Sequence, residues 1–297
     1  MELRHLRYFA RAADMLHFTQ AAESLYISQS TLSRDIQQLE EEIGLPLFKR
    51  IGRNVHLTDA GTTFLHHALL ALREIETARE QIANLNGVVS GTLHLGALLT
   101  FGRGVLPAWI CAINAAYPQI KISLKTGTSD FIEQTLVSGG IDLGLSFVPP
   151  TAPSLCHEVL FNEELFLVVG KEHELAGRSE VDLETLQGLA FGAVSQQWAA
   201  RRIIDSFLSE HGIDHAVIIE IDDLQALLKI ISQNKVCGLL ARLVVSDYPD
   251  VCLIPVKGKP LFLKYGVLWA GDATIRPAAQ AFLQHLRTAV PMGNHAD

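Results

Sequence analysis

Residues 18–44, FTQAAESLYISQSTLSRDIQQLEEEIG, constrain this chain more than any other stretch. Ala21, Ala22 and Leu25 make one apolar stripe, and Leu32, Ile36, Leu39 and Ile43 make a second at helical spacing. Tyr26-Ile27-Ser28 interrupts the pattern, with Ser28 or Gln29 placed to start a second helix. The small Ala21 and Ala22 let two short helices cross closely, as a helix-turn-helix requires. The exposed side of the second helix then carries Gln29, Ser30, Thr31, Ser33, Arg34 and Gln37, with Thr19 at the start of the first. Amide, hydroxyl and guanidinium groups of this kind pair with base edges and phosphates in a major groove. Within this window alone, an ordinary polar helix face reads the same way.

The following residues add a wing. Leu47-Phe48-Lys49-Arg50 and Arg53-Asn54-Val55-His56-Leu57-Thr58 suggest two short strands that turn near Gly52-Arg53-Asn54. Lys49, Arg50 and Arg53 sit where a wing meets the DNA backbone or enters the minor groove. On these residues the run from Leu6 to Gly61 resembles the amino-terminal winged helix-turn-helix of LysR-type transcriptional regulators. The matching phrases are LRYFARAAD, FTQAAESLYISQSTLSRDIQQLEEEIGLPLFKR and LTDAG, in the expected order. Ser30 departs from the family, which usually has proline there, and the change should loosen the helix start slightly. The resemblance implies promoter DNA as partner, assembly as a dimer of dimers (a homotetramer), and contact with RNA polymerase.

Charge runs against a nucleic-acid binder. The 297 residues carry a net charge of −8, and the first sixty hold seven Lys/Arg against eight Asp/Glu. Position offsets this, since Glu40, Glu41 and Glu42 lie at the far end of the second helix from Arg34 and the wing cations. A dimer presents both patches at once, so affinity can come from doubled contacts. Glu2, Arg4 and Arg7 have no apolar stretch behind them, unlike a secretory signal. No run reaches the roughly 18 apolar residues of a membrane span. Cys111, Cys156, Cys237 and Cys252 are scattered without a C-x-x-C pair, which fits reduced thiols in the cytoplasm; one of them sensing redox state stays open.

From Asp59 to Val88 there is no proline, and Phe64, Ala68, Ala71, Ile75, Ala78, Ile82 and Leu85 recur at alternating spacings of four and three. The pattern predicts a coiled-coil linker helix with a dimerisation seam; a single amphipathic helix packed on its own domain is the alternative.

Beyond Gly91 the pattern becomes α/β. Strands are expected over residues 92–96, 120–125 and 141–147, with helices over 105–117 and 130–138. A second set follows Pro149-Pro150: strands 165–169, 216–221 and 238–240, helices 198–211 and 224–233, an extended run 261–269 and a last helix 276–289. This predicts two Rossmann-like lobes, residues 91–161 plus 266–291 and residues 162–265, behind a DNA-binding domain over 1–58 and the linker over 59–88. Two extended crossovers are expected near residues 147–161 and 255–265. The arrangement is similar to the effector domain of the same family, which has the periplasmic-binding-protein architecture. The phrases SFVPP and WAARRIID are similar to its cyanate-responsive branch.

Such a domain binds its ligand at the carboxyl ends of strands, between the lobes. The loops expected there carry Thr100 and Phe101, Thr128 and Ser129, Phe147, and Ser195, Gln196 and Gln197. The hydroxyls at Thr100, Thr128, Ser129 and Ser195 stand at helix starts, where they cap the helix, hold an anion, or both. With Arg103, Arg201 and Arg202 nearby, the expected effector is a small anion. Neither a metal site nor a cofactor is expected: His66-His67 are adjacent on a helix and cannot share one face. Asp222-Asp223 read as the start of the helix at Leu224. With no phosphate loop and no G-x-S-x-G elbow, an enzyme is not expected. Two functions stay open: a ligand-responsive transcription factor, and a solute-binding module whose N-terminal helices serve assembly without DNA.

Overall fold

The computed structural model describes residues 1–52, 54–84, 89–233, 235–245, 248–258, 261–271 and 274–289, for Arg103 the backbone alone. Two compact units emerge: Met1–Gly91 with Val137–Gly140, and Thr92–Leu136 with Ile141–Asp297.

The first unit runs α1 (Leu3–Met15), α2 (Phe18–Ser24), α3 (Gln29–Ile43), β1 (Phe48–Ile51), β2 (Asn54–Leu57) and α4 (Asp59–Asn84). Ala12, Ala21, Ala22, Leu32 and Ile36 bury together where the first three helices cross. Ala21 and Ala22 are 0% and 1% exposed, so no larger side chain fits without separating α2 from α3. The turn between them holds Tyr26 in the left-handed region, at φ 56°. Ser28 then caps α3, its Oγ accepting from the Thr31 N–H at 3.1 Å. Such a cap contributes about 1 kcal/mol. At the other end Gly44, at φ 81°, donates to the Glu40 carbonyl at 2.8 Å and closes the helix.

A second cluster, Leu6, Phe9, Leu39, Leu47 and Ala68 with Phe64 against it, joins α1, α3, the wing and α4. The wing pairs antiparallel, Phe48 opposite Leu57 and Ile51 opposite Asn54. Phe48 packs inward, its ring 5.4 Å from Phe9 and 5.2 Å from Phe18. Glu40 anchors the wing: its carboxylate accepts from the Leu47 N–H at 2.6 Å and the Phe48 N–H at 3.1 Å.

The structure divides the apolar repeat of α4. Ala68 is 2% exposed and Phe64 packs beside it, so both positions are occupied by the domain's own core. Ala71, Ile75, Ala78 and Ile82 stay exposed and continue the stripe, while Leu85 lies outside the described residues. The first turns of this 26-residue helix complete the local core; farther along, Leu72 still packs on that core and Thr77 is buried, so the exposed stripe lies on a face left uncovered.

The second unit runs β3 (Gly91–Leu98), α5 (Leu99–Arg103), α6 (Leu106–Ala116), β4 (Ile120–Gly127), α7 (Ser129–Val137), β5 (Leu143–Phe147), β6 (Leu155–Gly170), β7 (Val181–Asp182), β8 (Ala190–Ala193), α8 (Ala199–Glu210), β9 (Ala216–Glu220), α9 (Leu224–Gln233), β10 (Gly238–Ala241), α10 (Arg242–Val245), β11 (Val251–Lys257), β12 (Phe262–Ala270) and α11 (Pro277–Ala289). One lobe is built on the strand order β4-β3-β5-β12-β6, with β3 and β5 parallel. The buried Asp142 carboxylate accepts from the His94 N–H at 2.7 Å and lies 3.8 Å from buried Arg276, tying β3 and the start of β5 to the approach of α11.

The other lobe is built around the second half of β6, flanked by β10 and β11, with the parallel pair β8–β9 beside it. Leu165 to Gly170 is buried throughout. Leu167 and Val169 enter one core cluster and Phe166 and Val168 another, so this strand is covered on both faces.

Several expectations change here. The first crossover is largely strand: β6 pairs with β12 from Leu155 to Glu164, then with β10 and β11 from Leu165 on. The exchange between lobes therefore falls at Glu164–Leu165, later than the boundary expected at residue 161. The loop expected to carry Thr100 and Phe101 is the helix α5, and the helix expected over 105–117 starts at Leu106, with Pro107 in its first turn.

Candidate DNA-binding face and effector cleft

On α3 the apolar side, Leu32, Ile36 and Leu39, is buried, while Gln29, Ser30, Thr31, Arg34 and Gln37 are exposed and Ser33 is half-buried. Thr19 is exposed on α2 and Arg50 on β1; Arg53 lies outside the described residues. Ser28 Oγ lies 2.8 Å from both Ser30 Oγ and Thr31 Oγ1, so the serine found where the family has proline adds a hydroxyl to the cap. Gln29 Nε2 donates to Ser33 Oγ at 3.4 Å, and Gln37 Nε2 to Glu41 at 3.2 Å. Arg34 and Arg50 enter none of the ion pairs formed among the described residues. An exposed guanidinium without a carboxylate partner, flanked by two amides, is ready for base edges or phosphates.

In the second unit two adjoining cavities open between the lobes. One is mainly apolar, with Thr100, Phe147 and Tyr265 from the first lobe and Val194, Trp198 and Leu224 from the second among its walls. The other encloses about 250 Å³ and is lined by Leu99, Thr100, Trp198, Asp222, Asp223, Leu224, Gln225, Leu243 and Val244. Thr100 Oγ1, Ser195 Oγ and Trp198 Nε1 are sealed from solvent, with Tyr265 the polar neighbour of Thr100 and Asp222 that of Ser195 and Trp198. Buried polar atoms of this kind are rarely left unsatisfied in folded proteins.

Of the residues expected to touch an effector, Thr100 and Phe147 line the cavities. Phe101 does not: it is 0% exposed, with ring centres 5.4 Å from Tyr265 and 6.0 Å from Phe161. Thr128 caps α7, accepting from the Phe131 N–H at 3.3 Å, and Ser129 is buried. Gln196 and Gln197 are exposed beside the cleft, their carbonyls accepting from Arg202 at 3.2 and 3.0 Å. Arg202 also reaches Asp130 at 3.0 Å, so one guanidinium links the expected loops of both lobes.

The arginines behind the anionic expectation are otherwise engaged. Arg201 is buried, binds Asp205 at 2.7 Å and the Val194 carbonyl at 2.8 Å, and lies 3.4 Å from Glu220. The Arg103 side chain lies outside the described ones. Asp222 is the residue that sequence reasoning missed. Asp223 alone caps α9, accepting from the Gln225 and Ala226 N–H groups at 2.8 and 3.1 Å. Asp222 turns to the second lobe's entry loop. Hydrogen bonding from Ser195, then Gln197, with Trp198 adding less, holds its carboxyl below the usual carboxylate range against an opposing desolvation. Nothing in two adjacent aspartates signals which one caps.

A wing-bearing helix-turn-helix unit in the same chain as a two-lobed cleft defines a DNA-binding protein that carries its own small-molecule sensor. Residues 3–62 match the family described as bacterial regulatory helix-turn-helix protein, lysR family, and residues 86–291 match the LysR substrate binding domain. The chain belongs to the LysR family of transcriptional regulators. It is 30% identical to YybE of Bacillus subtilis, an uncharacterized HTH-type transcriptional regulator, over 96% of this chain and 98% of that one. It is also 30% identical to the dual regulator GltC of the same organism, over 96% of each. In fold it is similar to a full-length OxyR variant from Pseudomonas aeruginosa, with TM-score 0.79, 22% identity, and coverage of 98% of this chain and 94% of that one. It is similar too to full-length CbnR in complex with its target DNA, with TM-score 0.70, 23% identity, and coverage of 97% and 100%. The family regulates transcription through DNA and small-molecule effectors, and its members are not enzymes. No helix among the described residues is long and apolar enough to cross a membrane.

Proposed function

We propose that α3 reads promoter DNA in the major groove through Gln29, Ser30, Ser33, Arg34 and Gln37, with Thr19, Thr31, Arg50 and Arg53 holding the backbone. The observation that carries this is Arg34, exposed and in no ion pair among the described residues, between buried Leu32 and Ile36, which fix its direction. The exposed stripe Ala71, Ile75, Ala78 and Ile82 supports a dimer through α4, and dimers pairing into a tetramer follow the family pattern. RNA polymerase is the further partner of an activating complex, and the cytoplasm is the compartment. The cleft at Thr100, Phe147 and Trp198 holds the effector, whose differential affinity for two lobe arrangements would couple sensing to DNA geometry.

Arg34→Ala tests the reading. It should cost roughly 1–3 kcal/mol of DNA affinity and relax base preference, measured by titration against a set of operator variants. Unchanged affinity and preference would return the helix-turn-helix to an assembly role.

A further inference from the structure

We propose that the cleft recognises an organic cation, a protonated amine or amidine carried on an apolar body, with Asp222 as the counter-charge. This rests on the effector reading of the cleft and names its ligand class. Among the described side chains, the walls of the polar cavity hold two carboxylates and no basic group. Asp223 is committed to capping α9, whereas Asp222 is exposed and kept ionised by its neighbours.

The two guanidiniums of α8 are already engaged. Arg201 is bound to Asp205 and the Val194 carbonyl, and Arg202 to Asp130 and the carbonyls of Gln196 and Gln197. An anion entering here meets Asp222 with no basic group among the described walls; a cation meets a carboxylate and the Trp198 indole, which borders the same space. The apolar body has its own place. The adjoining cavity shares Leu99, Thr100, Trp198, Leu224 and Val244 with the polar one and continues past Phe147.

The test uses the full chain and two probes with the same ring and opposite charge, benzylammonium and benzoate, at fixed ionic strength. Calorimetry gives affinities for wild type and Asp222→Asn, and operator titration follows DNA binding in parallel. Asp222 is exposed, so the asparagine variant keeps the fold, which its melting curve verifies. The expected result is tighter binding of benzylammonium than benzoate, weakened roughly ten- to a hundredfold by Asp222→Asn. Tighter binding of benzoate, improved further by Asp222→Asn, overturns the cation class and leaves the cleft as the sensor. Binding of neither probe at tens of millimolar, with DNA binding intact, overturns the cleft assignment along with it.

Discussion

Glu40 is where the DNA-binding account meets a measurable local energy. Its carboxylate takes the N–H groups of Leu47 and Phe48, at 2.6 and 3.1 Å, and so hangs the wing on the end of α3. Each hydrogen bond to a charged group contributes about 1.5–3 kcal/mol, and both are partly screened by solvent here. Their joint removal in Glu40→Ala should therefore cost about 2–3 kcal/mol of local stability. Amide exchange at Leu47 and Phe48 should accelerate roughly thirty- to a hundredfold, since about 1.4 kcal/mol corresponds to tenfold. Glu40→Gln keeps one neutral acceptor and should fall between. A looser wing holds Arg50 less firmly, so operator affinity should drop several-fold. The salt slope should not change, because the number of neutralised phosphates is the same. Unaltered exchange at both amides in Glu40→Ala would refute the role given to this carboxylate.

Other perturbations follow from equally specific contacts. A Cβ at Gly61 would stand 2.0 Å from the Leu47 carbonyl oxygen, so Gly61→Ala should destabilise the N-terminal unit by at least about 3 kcal/mol and abolish operator binding. Burial pushes the Cys237 thiol up to about 12, while Cys111 and Cys156 are exposed. Iodoacetamide at pH 8 should alkylate the exposed pair and spare Cys237 until the protein unfolds, which peptide mass mapping reads directly. Burial likewise raises the Glu163 carboxyl, against the opposing Leu243 N–H and the Arg242 charge. Its folded form keeps the proton to higher pH than the unfolded chain does, so this contribution is full below the ordinary glutamate range and falls as pH rises through the raised value. Glu163→Gln should then melt later than wild type at neutral pH and lose that advantage in acid.

The parts legible in the sequence are those where burial writes a period. The stripe Leu32, Ile36 and Leu39 gave the direction of α3, and the apolar run over residues 165–169 gave a strand, which the fold covers on both faces. The bounds of α9, Leu224–Gln233, were readable from the aspartates before it. What stayed hidden lacked such a period. Asn162-Glu163-Glu164 interrupts the apolar run of β6 with polar side chains, so a continuous strand of 16 residues read as a crossover followed by a short strand. Pro255 concealed β11, which pairs as a strand from Val251 to Lys257 despite it. β8 is four residues of mostly small side chains, too few to show alternation. In the cleft, Thr100 and Phe147 were found because they stand at or just past strand ends. Asp222 was missed because its role depends on Ser195 and Gln197, brought near only by the fold. SFVPP spans the end of β5 and the cis Val148–Pro149 bond, and WAARRIID the start of α8.

The central claim is that α3 and the wing read DNA, and footprinting on the chain's own upstream region across a salt series tests it most directly. The account predicts protection of a pseudo-palindromic site, lost steeply as salt rises and weakened at its base-specific positions by Arg34→Ala. No protection even at low salt would contradict it and make the N-terminal unit an assembly device for a solute-binding protein.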